Sequence, residues 1–248
     1  MESYNSFSEY YDELMEDARY PERCRYLLEI AARFSHPMGK TLDLACGTGS
    51  LTLLLAQQGI DVFGADGSVD MLSEAMQKSI AAGRHILFVH QEMQALELAE
   101  PIDTCVCTLD SLNHLTEIAD VQSTFNGIAR YMKPGGLLMF DVNTVYKHRE
   151  VLADNVFVLE NERVFCVWQN FLREDNIVDI ALDFFEEENG AYYRSSEDFS
   201  ERAYSDMQLQ KMLRVAGFQV IACYGDLTFD SPRDDEQRVV YAAKKSIK

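Results

Sequence analysis

The chain has no Cys-x-x-Cys pair, no run of Lys or Arg and no hydrophobic stretch long enough for a membrane helix. Its six cysteines (Cys24, Cys46, Cys105, Cys107, Cys166, Cys223) and five histidines are dispersed. That pattern argues against a zinc site, and no metal is expected; it suits free thiols in a reducing compartment. The apolar run beside the first glycine turn, Leu53 to Ala56, is far short of the roughly 20 residues a spanning helix needs. The N-terminal residues are polar and acidic and show no secretory pattern, so a cytoplasmic protein is expected. Basic residues are scarce: 22 Lys and Arg face 41 Asp and Glu, a net charge of −19. A surface of that sign repels nucleic acid, so neither nucleic acid nor membrane is an expected partner. Repeats, low-complexity tracts and Pro- or Gly-rich linkers are also missing.

What remains is an ordinary globular composition, 47% apolar and 25% charged over 248 residues, enough for one large domain or a domain with an insertion. The acid is uneven. Between Glu150 and Glu201 stand fourteen Asp and Glu against three Arg, which marks that segment as distinct.

Periodicity orders the rest. Residues 5–17 read as a short helix with Phe7, Tyr10, Tyr11 and Leu14 on one face, and Pro21 opens a second to about Phe34. Strands then alternate with helices: Thr41–Ala45, Ile60–Ala65, His85–Val89, Thr104–Leu109 and Leu137–Val142, with helices after Gly49, after Ser68 and from about Ala119 to Met132. Alternation of this kind predicts a parallel sheet covered by helices on both faces, with ligands at the strand ends. From about Val145 the pattern becomes β-branched and aromatic. Val178, Ile180, Leu182 and Phe184 alternate with Ile177, Asp179, Ala181 and Asp183, and Asn189-Gly190 is a hairpin signal. An inserted antiparallel sheet of three or four strands is expected over 145–204, packed as a lid for substrate or dimer contact. Ser205 and Gln208 form a capping box for a last helix, and strands near 218–224 and 238–243 complete the core. The expected organisation is therefore 1–144, 145–204 and 205–248.

The chemistry concentrates in Asp43-Leu44-Ala45-Cys46-Gly47-Thr48-Gly49, a strand running into a glycine turn and a helix start. A phosphate-binding loop would need Gly-Lys-Ser/Thr, which is absent, and a dinucleotide motif would need a third glycine where Thr52 stands. Asp43, four residues before Gly47, disfavours a pyrophosphate and a nicotinamide dehydrogenase, and favours a cationic ligand.

These residues resemble motif I of the class I S-adenosylmethionine-dependent methyltransferases. Asp66-Gly67-Ser68 with Met71 is similar to their second motif, Glu92-Met93 to their adenine site, Leu109-Asp110-Ser111-Leu112-Asn113-His114 to their loop after strand four, and Lys133-Pro134-Gly135-Gly136 to the turn before strand five. The resemblance covers about 37–142 and 205–245 and points to the small bacterial methyltransferase-25-like type. It implies a seven-stranded, mostly parallel Rossmann-like sheet and S-adenosyl-L-methionine as cofactor. It further implies that Asp43 holds the methionine ammonium, directly or through water. The turn Ala45, Cys46, Gly47, Thr48, Gly49 lies against the cofactor backbone-first, and Asp66, with Gly67 and Ser68, takes both ribose hydroxyls. Met71 and Met93 sandwich the adenine, Glu92 meets its amine, Leu109 and Asp110 cover the methionine moiety, and Tyr11 (or Tyr4, or Tyr20) closes over the site.

Asp110 and His114 stand where a base would be needed for an oxygen acceptor; an amine acceptor needs only to be neutral. Trp168, Tyr192 and Tyr193 are candidates for an aromatic wall around a cationic acceptor. The expected activity is methyl transfer to the N or O of a small molecule by in-line displacement. The alternative is an inactive methyltransferase fold that engages a partner protein through its acidic insert. An exposed apolar face on the insert would also suit a homodimer.

Overall fold

The computed structural model describes residues 18–160, 164–188 and 190–247. The helix expected over 5–17, with Tyr4 and Tyr11, lies outside them.

Helix α1 (Tyr20–Arg33) has its proline in the first turn and buries Cys24, Tyr26, Leu27, Ile30 and Ala31 along one stripe. The alternating core follows: β1 (Lys40–Leu44), α2 (Ser50–Gln57), β2 (Asp61–Asp66), α3 (Val69–Ala81), β3 (Phe88–His90), β4 (Ile102–Cys107), α4 (Ile118–Tyr131) and β5 (Met132–Asn143). Ser68 caps α3 by accepting from the Met71 amide. After the insert come α5 (Asp206–Val215), opened by the Ser205–Gln208 capping box, and β10 (Phe218–Gly225) and β11 (Arg238–Lys245).

The seven strands lie in the order β10-β11-β5-β4-β1-β2-β3. β1 to β5 run parallel, and β11 is antiparallel to both β5 and β10. Strand order reverses at β1, between β2 and β4, and a crevice opens there beyond the strand ends. Both sheet faces are covered. Leu137 and Met139 pack with α1 and α2, while Leu138, Phe140 and Val142 pack with α4 and α5. A strand buried on both sides is apolar on both faces, which explains the run Leu137–Phe140 in β5.

β5 gives way to a short π-helical segment, Lys147–Leu152, where a β-pattern was expected. A second sheet of four antiparallel strands then forms: β6 (Val156–Glu160), β7 (Val164–Leu172), β8 (Ile177–Glu188) and β9 (Ala191–Arg202). β6 and β7 pair antiparallel, with Val156 opposite Gln169. β8 pairs β9 from Ile177–Arg202 to Glu188–Ala191. Val178, Ile180, Leu182 and Phe184 form the predicted apolar face, buried with Val164, Cys166, Leu152 and Met71. Val156, Val158 and Phe171 are exposed. Among the described residues no helix is long and apolar enough to cross a membrane.

Candidate active site

The loops after β1, β2, β4 and β5 meet at one edge of the parallel sheet. The first is the glycine turn. Ala45 and Gly47 have left-handed backbones (φ 57° and 52°), and Gly49, also left-handed at 73°, is the N-cap of α2 without a capping side chain. Gly47 and Gly49 are glycines for different reasons. A Cβ at Gly49 would come within 2.8 Å of Ala75 and 3.2 Å of Phe88, so close packing forbids one. A Cβ at Gly47 would meet nothing within 4 Å; the space above it is open. That opening is where a ligand can lie against the backbone.

Asp66, at the end of β2, ties two loops together. Its Oδ2 accepts from the Gly47 amide and its Oδ1 from the Ser68 amide, both at 2.8 Å. A carboxylate has about four acceptor sites, so a hydroxyl pair can still be taken. Gly67 and Glu92 fit one another. The Glu92 carboxyl lies 3.0 Å from where a Gly67 Cβ would stand, so the longer acid fills the room left by the missing side chain.

Asp43 is placed differently from expectation. It is 2% exposed, and Thr52 Oγ1 donates to its Oδ2 at 2.6 Å. The acid therefore lies beneath the turn rather than open to the cleft, and the threonine in the third-glycine position is the residue that holds it. Burial pushes the Asp43 carboxyl up to about 7; the Thr52 hydrogen bond opposes this and the Asp66 charge adds to it. An unfolded aspartate titrates near about 3.9. The raised value means that the ligand-free fold loses stability as pH rises from about 4 to about 7. A cationic ligand reverses the preference by favouring the ionised acid. Affinity for S-adenosylhomocysteine, whose ammonium persists through this range, is therefore expected to strengthen from pH 6 to pH 8, by up to about tenfold for one pKa unit of coupling. Asp43→Asn flattens that dependence. Calorimetric titration at the two pH values checks it, and a wild-type affinity that does not change with pH refutes it.

The loop after β4 is built by a residue the sequence reading did not single out. Leu109 and Asp110 are consecutive left-handed residues (φ 58° and 54°). Both amides donate to buried Asp141 of β5, Leu109 N to Oδ2 at 2.9 Å and Asp110 N to Oδ1 at 2.8 Å. Arg23 of α1 donates to Oδ2 at 3.3 Å and Arg238 of β11 to Oδ1 at 2.5 Å, so four donors fill the acceptor sites of Asp141. Arg238 also donates to Asp110 Oδ2 at 2.9 Å, and Arg23 to Asp226 Oδ1 at 3.0 Å.

This network changes the reading of Asp110. Burial alone would raise its pKa, but Arg238, Lys147 and His114 outweigh burial and hold the carboxyl well below the usual range. Asn143 Nδ2 donates to the same Oδ2 at 2.5 Å. A carboxylate so stabilised has little tendency to accept a proton, and the base role expected of Asp110 is withdrawn. His114 ends the 3₁₀ turn Ser111–His114; it is 34% exposed and packs against Phe199 of β9, the rings tilted by 37° with centroids 5.1 Å apart.

Three further expectations are corrected. Met71 is 5% exposed and packs in the apolar seam between α3 and the second sheet with Leu152, Val164 and Leu182. The insert covers it, so it is core rather than a face for adenine. Met93 is partly buried against the main core beside Val89. Tyr192 and Tyr193 are exposed near the far end of β9, nine or more residues from Arg202. At about 3.3 Å per residue that is roughly 30 Å from the strand end that meets the core, so they form no wall at the site. Trp168 packs on Phe157 inside the insert. Cys46 Sγ would lie 2.6 Å from a Cβ on Gly64, and burial pushes its thiol well up, which makes it a filler under the turn.

The sequence reading also missed Asn143, Lys147, His148, Glu201 and Arg238. Asn143 Nδ2 donates to Glu201 Oε2 at 3.1 Å, and Lys147 Nζ donates to Asn143 Oδ1 at 2.9 Å. Asn113 donates to the Asn143 and Arg202 carbonyls and accepts the Asn143 amide, which fastens β9 to β5.

Comparison with known proteins places this geometry. Residues 41–136 match the family model described as a methyltransferase domain. YqeM, a methyltransferase-family protein of Bacillus subtilis (strain 168), is 36% identical over 245 residues, 98% of this chain and 97% of its own. The glycine/sarcosine N-methyltransferase of Aphanothece halophytica is 27% identical over 85% of this chain and 77% of its own. The crystal structure of an S-adenosylmethionine-dependent methyltransferase from Clostridium acetobutylicum ATCC 824 superposes with a TM-score of 0.90 at 29% identity, covering 98% of this chain and 99% of that one. With its open glycine turn, its doubly anchored strand-two acid and relatives that span nearly its whole length, the chain belongs to the class I S-adenosylmethionine-dependent methyltransferases.

Proposed function

We propose that the acceptor is a small amine, methylated on nitrogen. The observation that carries this reading is the state of Asp110. The one carboxylate in the loop facing the expected methyl group is locked as an ion pair with Arg238 and is a poor base. Asp110 is therefore not available as the base that an alcohol or phenol acceptor needs, whereas an amine only has to shed its own proton near neutral pH. The A. halophytica relative, named for N-methylation of glycine and sarcosine, aligns over 85% of this chain and supports the same choice.

The residues divide the work. The backbone of Ala45–Gly49 lies along the cofactor, and Asp66 accepts its ribose hydroxyls on the acceptor sites that Gly47 and Ser68 leave open. Glu92 stands at the adenine side beside Gly67. Asp43 supplies negative charge from beneath the turn. When bound, S-adenosyl-L-methionine supplies an electrophilic methyl group on a sulfonium. Little new charge then has to be stabilised, and positioning with exclusion of water provides most of the acceleration. The second sheet delivers Phe199 and Glu201 to the mouth beside His114 and closes that side. Lys147 is shifted down by burial, against Asp110 and Glu201, which raise it, and it holds Asn143 in place.

The test is release of S-adenosylhomocysteine by the purified chain across a panel of small primary and secondary amines, set beside catechols and phenols of similar size. Turnover confined to the amines is the expected result. Turnover confined to hydroxyl acceptors refutes the reading.

A further inference from the structure

Glu201 is the buried acid of this region whose charge is least satisfied. It sits one residue before the end of β9 and is 6% exposed. Asn143 is its one hydrogen-bond donor among the described residues, at Oε2. Oε1 has none among these residues; His114 Nε2 lies 3.9 Å from it. Among the described residues no Lys or Arg reaches it within ion-pair distance, because Arg238 is taken by Asp110 and Asp141 and Lys147 by Asn143. A buried carboxylate normally collects several donors.

A second observation is independent of the first. His148 is fully buried, and among the described residues its Nε2 has no hydrogen-bond partner. Its Nδ1 lies 2.9 Å from the Asn176 carbonyl, which can only accept, so the ring's hydrogen in the neutral form is on Nδ1. His148 Nε2 lies 3.6 Å from Glu201 Oε2. His148 and His114 thus flank Glu201, at Oε2 and Oε1 respectively. Asn143 bridges Asp110 to Glu201, which sets this carboxylate beside the loop after β4.

We propose that Glu201, carried in by the inserted sheet, is the acceptor-binding carboxylate, and that a nitrogen bearing several hydrogens, an ammonium or amine, meets its unbonded Oε1 beside His114. Phe199, tilted against His114, is the apolar neighbour on that side. The proposal rests on the amine reading above and specifies the residue that selects for it. It also gives the acidic insert a role: of its fourteen acids Glu197 and Glu201 are buried, Glu201 beside His114, while others, such as Asp198, are exposed.

Sinefungin tests this without knowledge of the acceptor, because it carries an amine-bearing carbon in place of the methyl sulfonium and so presents an ammonium at the point of transfer. Its affinity is compared with that of S-adenosylhomocysteine, which lacks that ammonium, by calorimetry. The wild type is expected to prefer sinefungin by about tenfold or more, as a charge-assisted contact in a dry site gives. Glu201→Gln is expected to abolish that preference while S-adenosylhomocysteine affinity stays within about twofold, the unchanged affinity serving as the check on folding. Glu201→Asp, which keeps the charge on a shorter arm, retains part of the preference and answers the question if the glutamine variant does not fold. Asp198→Asn changes neither affinity. An undiminished sinefungin preference in the Glu201 variants overturns the proposal, as does equal loss of both ligands. Failure of the wild type to bind either ligand would instead sink the cofactor assignment.

Discussion

Asp66→Ala is expected to weaken binding of S-adenosylmethionine by about 100-fold, the largest effect of any single change at the cofactor side. Two contributions add. The ribose loses two hydrogen bonds to a charged acceptor, each worth roughly 1.5 kcal/mol or more, and together near 3 kcal/mol, or about two decades in affinity. The Gly47 and Ser68 amides also lose the acceptor that now fixes both turns at 2.8 Å. Asp66→Asn keeps one oxygen acceptor but must present an N–H toward an amide or a hydroxyl, so it is expected to fall between the two. Calorimetric titration with a parallel thermal melt separates loss of binding from loss of fold. An affinity within threefold of wild type would remove Asp66 from the ribose site.

Asp141→Ala is expected to have the largest effect on stability, about 3–5 kcal/mol, because it strands two buried guanidinium groups and two backbone donors at once. Arg23 and Arg238 both ion-pair with Asp141, and the left-handed pair Leu109–Asp110 hangs from its two oxygens. Burial opposes the charge on Arg238, and Asp110 with Asp141 overcomes that opposition and holds the group above its ordinary value; without Asp141 the balance tips. At roughly 2–4 °C per kcal/mol for a chain of this size, the melting temperature should fall by about 10 °C. Asp226→Ala is the comparison. Asp226 pairs with the same Arg23 but is 30% exposed, and a half-solvated partner contributes about 1 kcal/mol or less. Equal shifts for the two variants would show that the Asp141 network does not carry the stability argued for it.

The stretches assigned to the cofactor through the family resemblance, Asp43 to Gly49 and Asp66 to Ser68, are each consecutive in sequence, and the structure joins them through the Gly47–Asp66 hydrogen bond. Even so, the sequence places Asp43 without showing its depth. Thr52, read only as a missing glycine, turns out to be its hydrogen-bond partner. The acceptor half is assembled from distant positions. Arg238 meets Asp110 only because β11 lies antiparallel to β5, with Arg238 opposite Asn143. Glu201 arrives from the last turn of register in β9, among many acids of the same composition. In a chain that is one quarter charged, nothing local separates an inward acid from a solvated one. Arg238 did carry a faint signal, a lone arginine heading an apolar strand. Met71 was ambiguous for a different reason: a methionine in the first turn of a helix is apolar filling whichever surface covers it, and here the insert does. The π-helical segment Lys147–Leu152 carries no periodicity that marks it, yet it is what places Lys147 and His148 beside Glu201.

The most direct measurement is transfer from S-adenosylmethionine labelled with ¹³C in the methyl group to a mixed pool of small amines and hydroxylic compounds, with the product read by NMR. The account predicts enzyme-dependent N-methyl resonances that disappear in Asp66→Ala. Enzyme-dependent O-methyl resonances alone, or labelled product undiminished in Asp66→Ala, would contradict it.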